Sequence, residues 1–293
     1  MLFGAQVKQA GGLLAALRRA EAMGAQVMQV FAQSPRQWRF PEGNPARAAA
    51  FAEAWPASTV VRGVVCHAPY LINLGTSNTE IYDKSCACLG ENLCAAGAMG
   101  ASGLVIHIGS HLGAGLDARL GAIAAGIRGA LDQVDCPLLL ENTAGAGGTV
   151  GRSFEELARV IEGAGGDPRL GICLDTQHAW AAGMSFATLD AADALVGHID
   201  RTVGLDRLAC LHVNDSKVGR GAGLDRHENV GRGTIGRQAF RSLLGHPRLQ
   251  GLPAILEVPG TDEQGPDARE LRIVRRLHKD GLRLRAESAL FSR

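Results

Sequence analysis

The run Pro137-Leu138-Leu139-Leu140-Glu141 contains the pattern that decides the fold. Its three consecutive leucines show no polar alternation, which is typical of a parallel strand buried on both faces rather than of a strand with one solvated face. A second run of this kind, Ala254-Ile255-Leu256, is followed by a glutamate, Glu257. We therefore expect a parallel sheet whose strands end at ionisable side chains.

Short β-rich runs of this sort recur along the chain, and each gap between them can hold a crossover helix. The predicted strands cover residues 2–5, 27–31, 61–67, 103–109, 137–141, 171–175, 208–214 and 254–258. The clearest helices are predicted over residues 13–23, 81–99, 154–161 and 270–278. Eight β/α units without a linker-like stretch predict one α/β domain over residues 1–293, a single (β/α)8 barrel, or TIM barrel. A doubly wound sheet is the alternative; it predicts a glycine-rich phosphate turn after the first strand, for which Gly11-Gly12 is weak support.

Composition excludes several classes of protein. The 293 residues are 46% hydrophobic, which provides a large core and excludes bulk disorder. The formal net charge of +1 excludes a polyanion binder that relies on gross positive charge, although a local basic patch remains compatible with it. The uncharged segment 92–116 is interrupted by glycines and by His107 and His111, so we predict no membrane span. With seven cysteines, an odd number, and no visible signal peptide, we expect reduced thiols and a cytoplasmic protein.

A barrel of this kind places its catalytic groups at the C-terminal ends of the strands. The last residue or so of predicted strands three to eight is in every case a side chain that can bind a metal. These residues are His67, His107, Glu141, Asp175, His212 and Glu257. Unpaired buried charges are strongly unfavourable, so their convergence on one rim predicts that they coordinate cations together.

Two loop motifs extend this set. In Asp175-Thr176-Gln177-His178 a carboxylate and an imidazole lie one helical turn apart, and in Asp225-Arg226-His227 two donors share one side of an extended segment. The resulting nine donors, five imidazoles and four carboxylates, favour Zn²⁺ or Mn²⁺ over Ca²⁺ or Mg²⁺. Nine exceeds the three or four protein ligands of one catalytic zinc, so we expect two or three ions, a cluster suited to phosphoester hydrolysis.

The motifs around these donors closely resemble those of the endonuclease IV family. They occur in the family's order, and the resemblance extends from Gly4 to about Val258. The motifs are Cys66-His67-Ala68-Pro69-Tyr70-Leu71-Ile72-Asn73-Leu74, Leu140-Glu141-Asn142-Thr143-Ala144-Gly145, Cys173-Leu174-Asp175-Thr176-Gln177-His178, His212-Val213-Asn214-Asp215-Ser216-Lys217 and Asp225-Arg226-His227-Glu228-Asn229-Val230-Gly231. That family consists of (β/α)8-barrel, tri-zinc apurinic/apyrimidinic (AP) endonucleases of base excision repair.

The resemblance implies the activity and the role of each site residue. The expected reaction is hydrolysis of the phosphodiester 5′ to an abasic site in double-stranded DNA, with a 3′-hydroxyl and a 5′-deoxyribose phosphate as products. All nine donors correspond to the family's zinc ligands, with Mn²⁺ possible at some sites. Glu141 and Glu257 are the expected catalytic residues, Glu141 by bridging two ions and holding the nucleophilic hydroxide. Arg36, Tyr70 and Leu71 correspond to the residues that the family inserts into damaged DNA. We expect a monomer that associates with the nucleoid through DNA if the source is prokaryotic.

Four positions depart from the family's motifs, and two other functions remain open. The family usually opens with G-A-H-V-S, where this chain has Gln6 and Lys8, and it usually has Pro and Cys where this chain has Ile108 and Gln177. A metal-dependent sugar isomerase or epimerase on a similar barrel would need one or two ions, so the pair formed by Asp225 and His227 would be surplus. A non-catalytic abasic-site binding protein would keep the fold without cleaving DNA, and the presence of both Glu141 and Glu257 argues against it.

Overall fold

The computed structural model describes residues 1–40 and 44–291, and within them eight parallel strands close into a barrel. The barrel strands are β1 (Leu2–Gln6), β2 (Val27–Phe31), β3 (Gly63–His67), β4 (Leu104–Ile106), β5 (Leu138–Glu141), β6 (Leu170–Asp175), β7 (Leu208–His212) and β10 (Pro253–Leu256), while the short strands β8 (Asp215–Ser216) and β9 (His227–Glu228) lie outside it. The neighbours around the barrel follow the order β1-β10-β7-β6-β5-β4-β3-β2. The prediction of a (β/α)8 barrel is confirmed. The assignment of residues 1–293 to one domain stays a prediction, and its residues 41–43, 292 and 293 lie outside the described chain.

Helices connect the strands and cover the outside of the barrel. They are α1 (Leu13–Met23), α2 (Asn44–Ala54), α3 (Thr79–Ala98), α4 (Leu116–Leu131), α5 (Phe154–Gly163), α6 (Thr176–Ala181), α7 (Leu189–Thr202), α8 (Gly236–Leu244) and α9 (Ala268–Phe291). Helix α3 begins two residues before its predicted start because the side chain of Asn78 accepts a hydrogen bond from the backbone N–H of Ile81. In the described part of the chain, no helix is both long and apolar enough to cross a bilayer.

Three predicted strands were too long at their C-terminal ends. Strand β4 ends at Ile106, so His107 follows it, and Gly109 then turns the chain with a φ of 107°. Strand β7 ends at His212. Strand β10 ends at Leu256 because the backbone N–H of Glu257 donates to the side-chain oxygen of Asn214 rather than to a neighbouring strand. The ends of these strands are therefore set by side-chain hydrogen bonds and turns at the rim.

An apolar layer fills the barrel interior beneath the rim. It contains Val27, Val65, Val105, Leu139, Cys173, Cys210 and Ile255. Since side chains alternate along a strand, the residue two positions later points to the same interior. Those residues are Gln29, His67, His107, Glu141, Asp175, His212 and Glu257. The alternation thus places six ionisable groups and one glutamine between the apolar layer and the C-terminal rim of the barrel. All seven cysteines, each within the described chain, are free.

Candidate metal centre

The nine predicted donors converge at the C-terminal rim. Eight of them form three groups in which the candidate ligand atoms lie within 4.8 Å of one another. The groups are His67, His107 and Glu141; Asp175, His178 and His227; and Glu141, Asp175, His212 and Glu257. Glu141 and Asp175 each belong to two groups. The ninth donor, Asp225, lies 3.3 Å from His178 Nε2 and 3.2 Å from His227 Nε2.

Glu141 occupies the centre of this arrangement and is fully buried. Its Oε2 lies 3.3 Å from His67 Nε2 and 3.4 Å from His107 Nε2. Its Oε1 lies 2.9 Å from His212 Nδ1 and 3.4 Å from His178 Nδ1. Burial alone would raise the pKa of Glu141, but the surrounding imidazoles hold that pKa well below its ordinary value. The carboxylate is therefore ionised, as a metal ligand must be.

Asp175 joins a strand end to a helix start. It is the last residue of β6, and its Oδ1 accepts a hydrogen bond of 2.8 Å from the backbone N–H of His178. This N-cap begins α6, so His178 lies one turn from the carboxylate, as the spacing predicts. The Nδ1 of His178 lies 2.9 Å from the carbonyl oxygen of Asn142, which leaves its Nε2 facing Asp225.

Asp225 and His227 are carried by a hairpin excursion that the sequence did not predict. The two-residue strands β8 and β9 pair in antiparallel fashion and bracket residues 217–226. Gln177 anchors this hairpin to the barrel, because its Nε2 donates a hydrogen bond to the carbonyl oxygen of Leu224 at 2.9 Å. Gln177 is one of the departures from the family's motifs, and its long amide reaches the backbone next to Asp225.

A buried carboxylate fixes the base of the same hairpin. Asp215 is fully buried and accepts hydrogen bonds from four backbone N–H groups. These N–H groups belong to Ser216, Gly231, Gly233 and Ile235. One carboxylate therefore holds both ends of the segment that positions Asp225 and His227.

Replacing Asp215 by Asn should loosen this segment. The amide –NH₂ would face backbone N–H donors, and each buried donor left unpaired costs about 1–3 kcal/mol. We expect a lower melting temperature and faster amide hydrogen exchange over residues 217–235. Asp83→Asn, which changes an exposed carboxylate on α3, is the matched control. Unchanged exchange in Asp215→Asn would contradict the anchoring role.

Imidazole pKa values show how the metal-free site balances its charge. Burial would lower the pKa of His212, but Glu257 and Glu141 raise it to about 10. Burial likewise opposes the rise at His227, where Asp225 and Asp175 bring the pKa to about 9. The pKa of His178 is also well above its ordinary value, because Asp175 and Asp225 outweigh the effect of burial. These imidazoles hold protons that a bound cation would displace.

The donor chemistry fits a cluster of zinc-like cations. The set contains only imidazole nitrogens and carboxylate oxygens, and two carboxylates are shared between groups. His227 Nε2 is buried and lacks a hydrogen-bond partner among the described residues, although the carboxylate of Asp225 is close to it. A cation bound between the two side chains would satisfy this nitrogen.

Two clefts meet above these residues. A cavity of about 810 Å³ is lined by His67, His107, His178, His227, Asp225 and Glu257, together with apolar residues that include Trp38 and Leu71. A second cavity of about 940 Å³ shares His227 and Glu257 and adds Lys8, Arg36 and Arg47. Tyr70 lines both cavities and is 55% exposed. The three predicted DNA contacts, Arg36, Tyr70 and Leu71, thus line the cavities above the donors.

Comparison with known proteins places this arrangement in a family. Residues 17–277 match the model of the family described as xylose isomerase-like TIM barrel. A probable endonuclease 4 from Methanoculleus marisnigri is 41% identical over 280 residues, which cover 94% of this chain and 99% of that protein. The corresponding protein from Geobacter sulfurreducens is 38% identical over 277 residues, 94% of this chain and 93% of its own. The chain belongs to the endonuclease IV family.

A solved structure of an endonuclease IV supports this assignment. The enzyme from Thermus thermophilus has a TM-score of 0.79 and 34% identity, covering 96% of this chain and 100% of its own. A D-tagatose 3-epimerase-like protein also shares the barrel, with a TM-score of 0.68 but only 18% identity, over 99% of this chain and 100% of its own. The second likeness shows a common fold alone, so it does not favour the epimerase alternative.

In this member of the endonuclease IV family, buried carboxamides hold the candidate ligands. Asn142 Oδ1 accepts from the backbone N–H of Asp175 at 2.7 Å. Asn214 Nδ2 donates to Asp175 Oδ2 at 2.7 Å and lies 3.3 Å from Glu257 Oε2. Both asparagines occur in the sequence motifs, but no role was predicted for them. No role was predicted for Gln29 either, although strand alternation places Gln29 level with the ligands.

Proposed function

We propose that this chain is a zinc-dependent AP endonuclease that hydrolyses the phosphodiester 5′ to abasic sites in double-stranded DNA. Membership of the endonuclease IV family makes it a DNA-hydrolysing enzyme. The observation that carries the proposal is the convergence of three donor groups joined through Glu141 and Asp175. Three groups suit three ions, for which we propose Zn²⁺, with Mn²⁺ possible at some sites.

We assign all nine donors of the cluster as metal ligands. They are His67, His107, Glu141, Asp175, His178, His212, Asp225, His227 and Glu257. When bound, such ions lower the pKa of water and stabilise charge on the attacking and leaving oxygens of an in-line displacement. Glu141 belongs to two of the donor groups, so it would help to hold the ions of both and would orient the attacking water, and Glu257 would complete the group that also contains His212.

The reaction breaks the bond between phosphorus and the 3′ oxygen of the preceding nucleotide. Water adds to phosphorus, the 3′ oxygen leaves as a hydroxyl, and the phosphate stays on the 5′ carbon of the abasic sugar. The exposed phenol of Tyr70, with Leu71 and Arg36 beside it, supports the recognition of damage. An abasic nucleotide has no base to stack, so its extrusion costs less than that of an intact nucleotide, and apolar wedges can hold the kinked duplex.

Metal analysis of the purified chain, combined with a cleavage assay, tests this proposal. We expect about three zinc ions per chain, with loss of cleavage of an abasic duplex after chelation and recovery when zinc is added. About one ion per chain and no cleavage would favour a sugar isomerase or epimerase. Zinc-loaded protein that binds abasic DNA tightly without cutting it would favour a binding protein.

A double substitution, Tyr70→Ala with Leu71→Ala, should selectively weaken recognition of the abasic site. Each aromatic stacking contact to a nucleic acid is worth about 1–3 kcal/mol, so we expect about tenfold or more loss of affinity for an abasic duplex. Binding is measured in a Glu257→Gln background, so that the duplex stays uncut, and compared with an intact duplex. Leu282→Ala, which truncates an exposed leucine on α9, is the control.

The same double variant should keep its metal content and melting temperature, since Tyr70 is 55% exposed. A large fall in melting temperature with unchanged discrimination between the two duplexes would show that the pair only packs the rim. We further propose that the protein acts as a monomer in the cytoplasm.

A further inference from the structure

Gln29 lies where the register of the barrel places metal-binding side chains on other strands. It follows Val27 of the interior apolar layer by two residues, as His67 follows Val65 and Glu141 follows Leu139. Its side chain is fully buried. A buried carboxamide at this level must find partners for both its oxygen and its nitrogen.

Both ends of the Gln29 amide contact a candidate ligand. Its Nε2 donates to Glu257 Oε1 at 2.6 Å, and its Oε1 lies 2.8 Å from His212 Nε2. The orientation of the amide follows from Glu257, because an ionised carboxylate can only accept hydrogen bonds. The –NH₂ group must therefore face Glu257, which leaves the amide oxygen facing His212.

An amide oxygen can only accept, so His212 must carry its proton on Nε2. Its Nδ1 then faces Glu141 Oε1, 2.9 Å away, and Glu257 Oε2, 3.2 Å away, so Nδ1 is the nitrogen that would bind a cation in place of a proton. When a cation occupies Nδ1, the tautomer of the neutral His212 ring thus follows from the hydrogen bond between Gln29 and Glu257, which fixes which end of the carboxamide faces the ring.

His212 differs in this respect from two other imidazoles of the cluster. His67 Nδ1 lies 2.7 Å from the carbonyl oxygen of Ala68, and His178 Nδ1 lies 2.9 Å from that of Asn142. Both rings therefore use a backbone acceptor at Nδ1 and turn Nε2 inward. His212 has the opposite orientation, and its acceptor is the side chain of Gln29.

We propose that Gln29 is a positioning residue that fixes His212 as the Nε2–H tautomer and orients Glu257, so that both are ready to bind the same cation. This inference rests on the metal centre of the proposed function but not on its DNA substrate. Partners of this kind, which orient metal ligands without touching the metal, change metal affinity by about 10–100-fold when they are removed.

The decisive variant is Gln29→Met, which keeps the length of the side chain and removes both hydrogen bonds. We expect the zinc affinity of the weakest-bound ion, measured by competition with a chromophoric chelator, to fall by about 10–100-fold. Glu257 retains its contact with Asn214, so the folded barrel should persist. An affinity within twofold of the unsubstituted protein would overturn the proposal.

Gln250→Met is a closely matched control. Gln250 also accepts from a histidine through its Oε1, which lies 2.7 Å from His278 Nε2, and it donates to the carbonyl oxygens of Leu244 and His246. Neither it nor His278 belongs to the donor cluster. We expect this variant to lose stability without losing zinc affinity, whereas an equal loss of affinity in both variants would overturn the proposal.

A second measurement needs no variant. In zinc-loaded protein labelled with ¹⁵N, long-range ¹⁵N–¹H correlations of the His212 ring report which nitrogen carries the proton. We expect a slowly exchanging proton on Nε2, and a proton on Nδ1 would overturn the proposal even if Gln29→Met failed to fold. Neither readout uses DNA, so a parallel cleavage assay on the unsubstituted protein tests the proposed function separately.

Discussion

Glu257→Gln should lower the rate of cleavage at an abasic site by at least about 100-fold, the upper end of the cost of losing a partner that merely orients a ligand. Glu257 belongs to the donor group that contains Glu141, Asp175 and His212, and the surrounding imidazoles hold its pKa below the ordinary value in spite of its burial. The amide would remove one negative charge from this group. It would also present an –NH₂ group to Gln29 or to Asn214, which now donate to the carboxylate.

The measurement is a single-turnover cleavage rate on an abasic duplex, with metal content determined on the same sample. Glu155→Gln provides the matched control, since Glu155 is an exposed glutamate on α5 that pairs with His198. We expect the control to cleave at the unsubstituted rate. A Glu257→Gln variant that keeps full metal content and near-normal rate would show that Glu257 lies outside the catalytic centre.

Zinc should stabilise the protein more strongly as pH rises from 6 to 8. His212 and His227 have pKa values of about 10 and 9 in the folded, metal-free chain, above the unfolded value of roughly 6.5. Their contribution to the stability of the metal-free protein is complete below about pH 6.5 and is lost as pH rises through the folded values. Zinc must displace these same protons, so its affinity increases over the same range.

The difference in melting temperature between chelated and zinc-loaded protein, taken at pH 6, 7 and 8, measures how the stabilisation by zinc depends on pH. A site saturated at a thousand times its dissociation constant contributes about 4 kcal/mol, which corresponds to a shift of roughly 7 °C in a chain of this size. His227→Gln should reduce the zinc-dependent shift, whereas His198→Gln, at the α5–α7 surface pair with Glu155, should leave it unchanged. A zinc effect that stays constant or shrinks with rising pH would contradict the assigned ligands.

The positions of the candidate ligands could be predicted because they follow from strand alternation and the rule that sites form at strand ends. His67, Glu141 and Asp175 end their strands as expected, and His212 ends β7, which is two residues shorter than predicted. His107 and Glu257 lie one residue beyond, because turns and an asparagine side chain end the pairing earlier than propensity suggests. The sequence could not reveal this, since the acceptor of the Glu257 N–H comes from another strand's loop.

Several helices were not predicted, for reasons of composition. Helix α4 contains Gly121, Gly126 and Gly129, which lower helix propensity and weaken its amphipathic pattern. Gly126 lies against Leu74 and Cys86, so close packing there favours glycine over better helix formers. The helix predicted over residues 270–278 is also longer than predicted and ends at Phe291. Its later turns were not predicted, because charged residues and Gly281 interrupt the apolar stripe there.

Most of the hydrogen bonds that hold the candidate ligands in place could not be predicted from the sequence. The contacts of Gln29 and Gln177 join residues far apart in the chain, Gln29 with His212 and Gln177 with Leu224. No local period or spacing encodes such pairs, since they depend on the closed barrel. Asp215 shows the same limit, because its carboxylate binds backbone groups that only the folded hairpin brings together.

Incubation of the protein with a duplex that contains one abasic site tests the central claim most directly. The products are separated with and without chelator and with zinc restored, and their ends are identified by mass. We predict zinc-dependent cleavage that leaves a 3′-hydroxyl and a 5′-deoxyribose phosphate. An unsaturated aldehyde at the 3′ end, the product of a lyase, or cleavage that persists without metal, would contradict a metal-dependent hydrolysis at this centre.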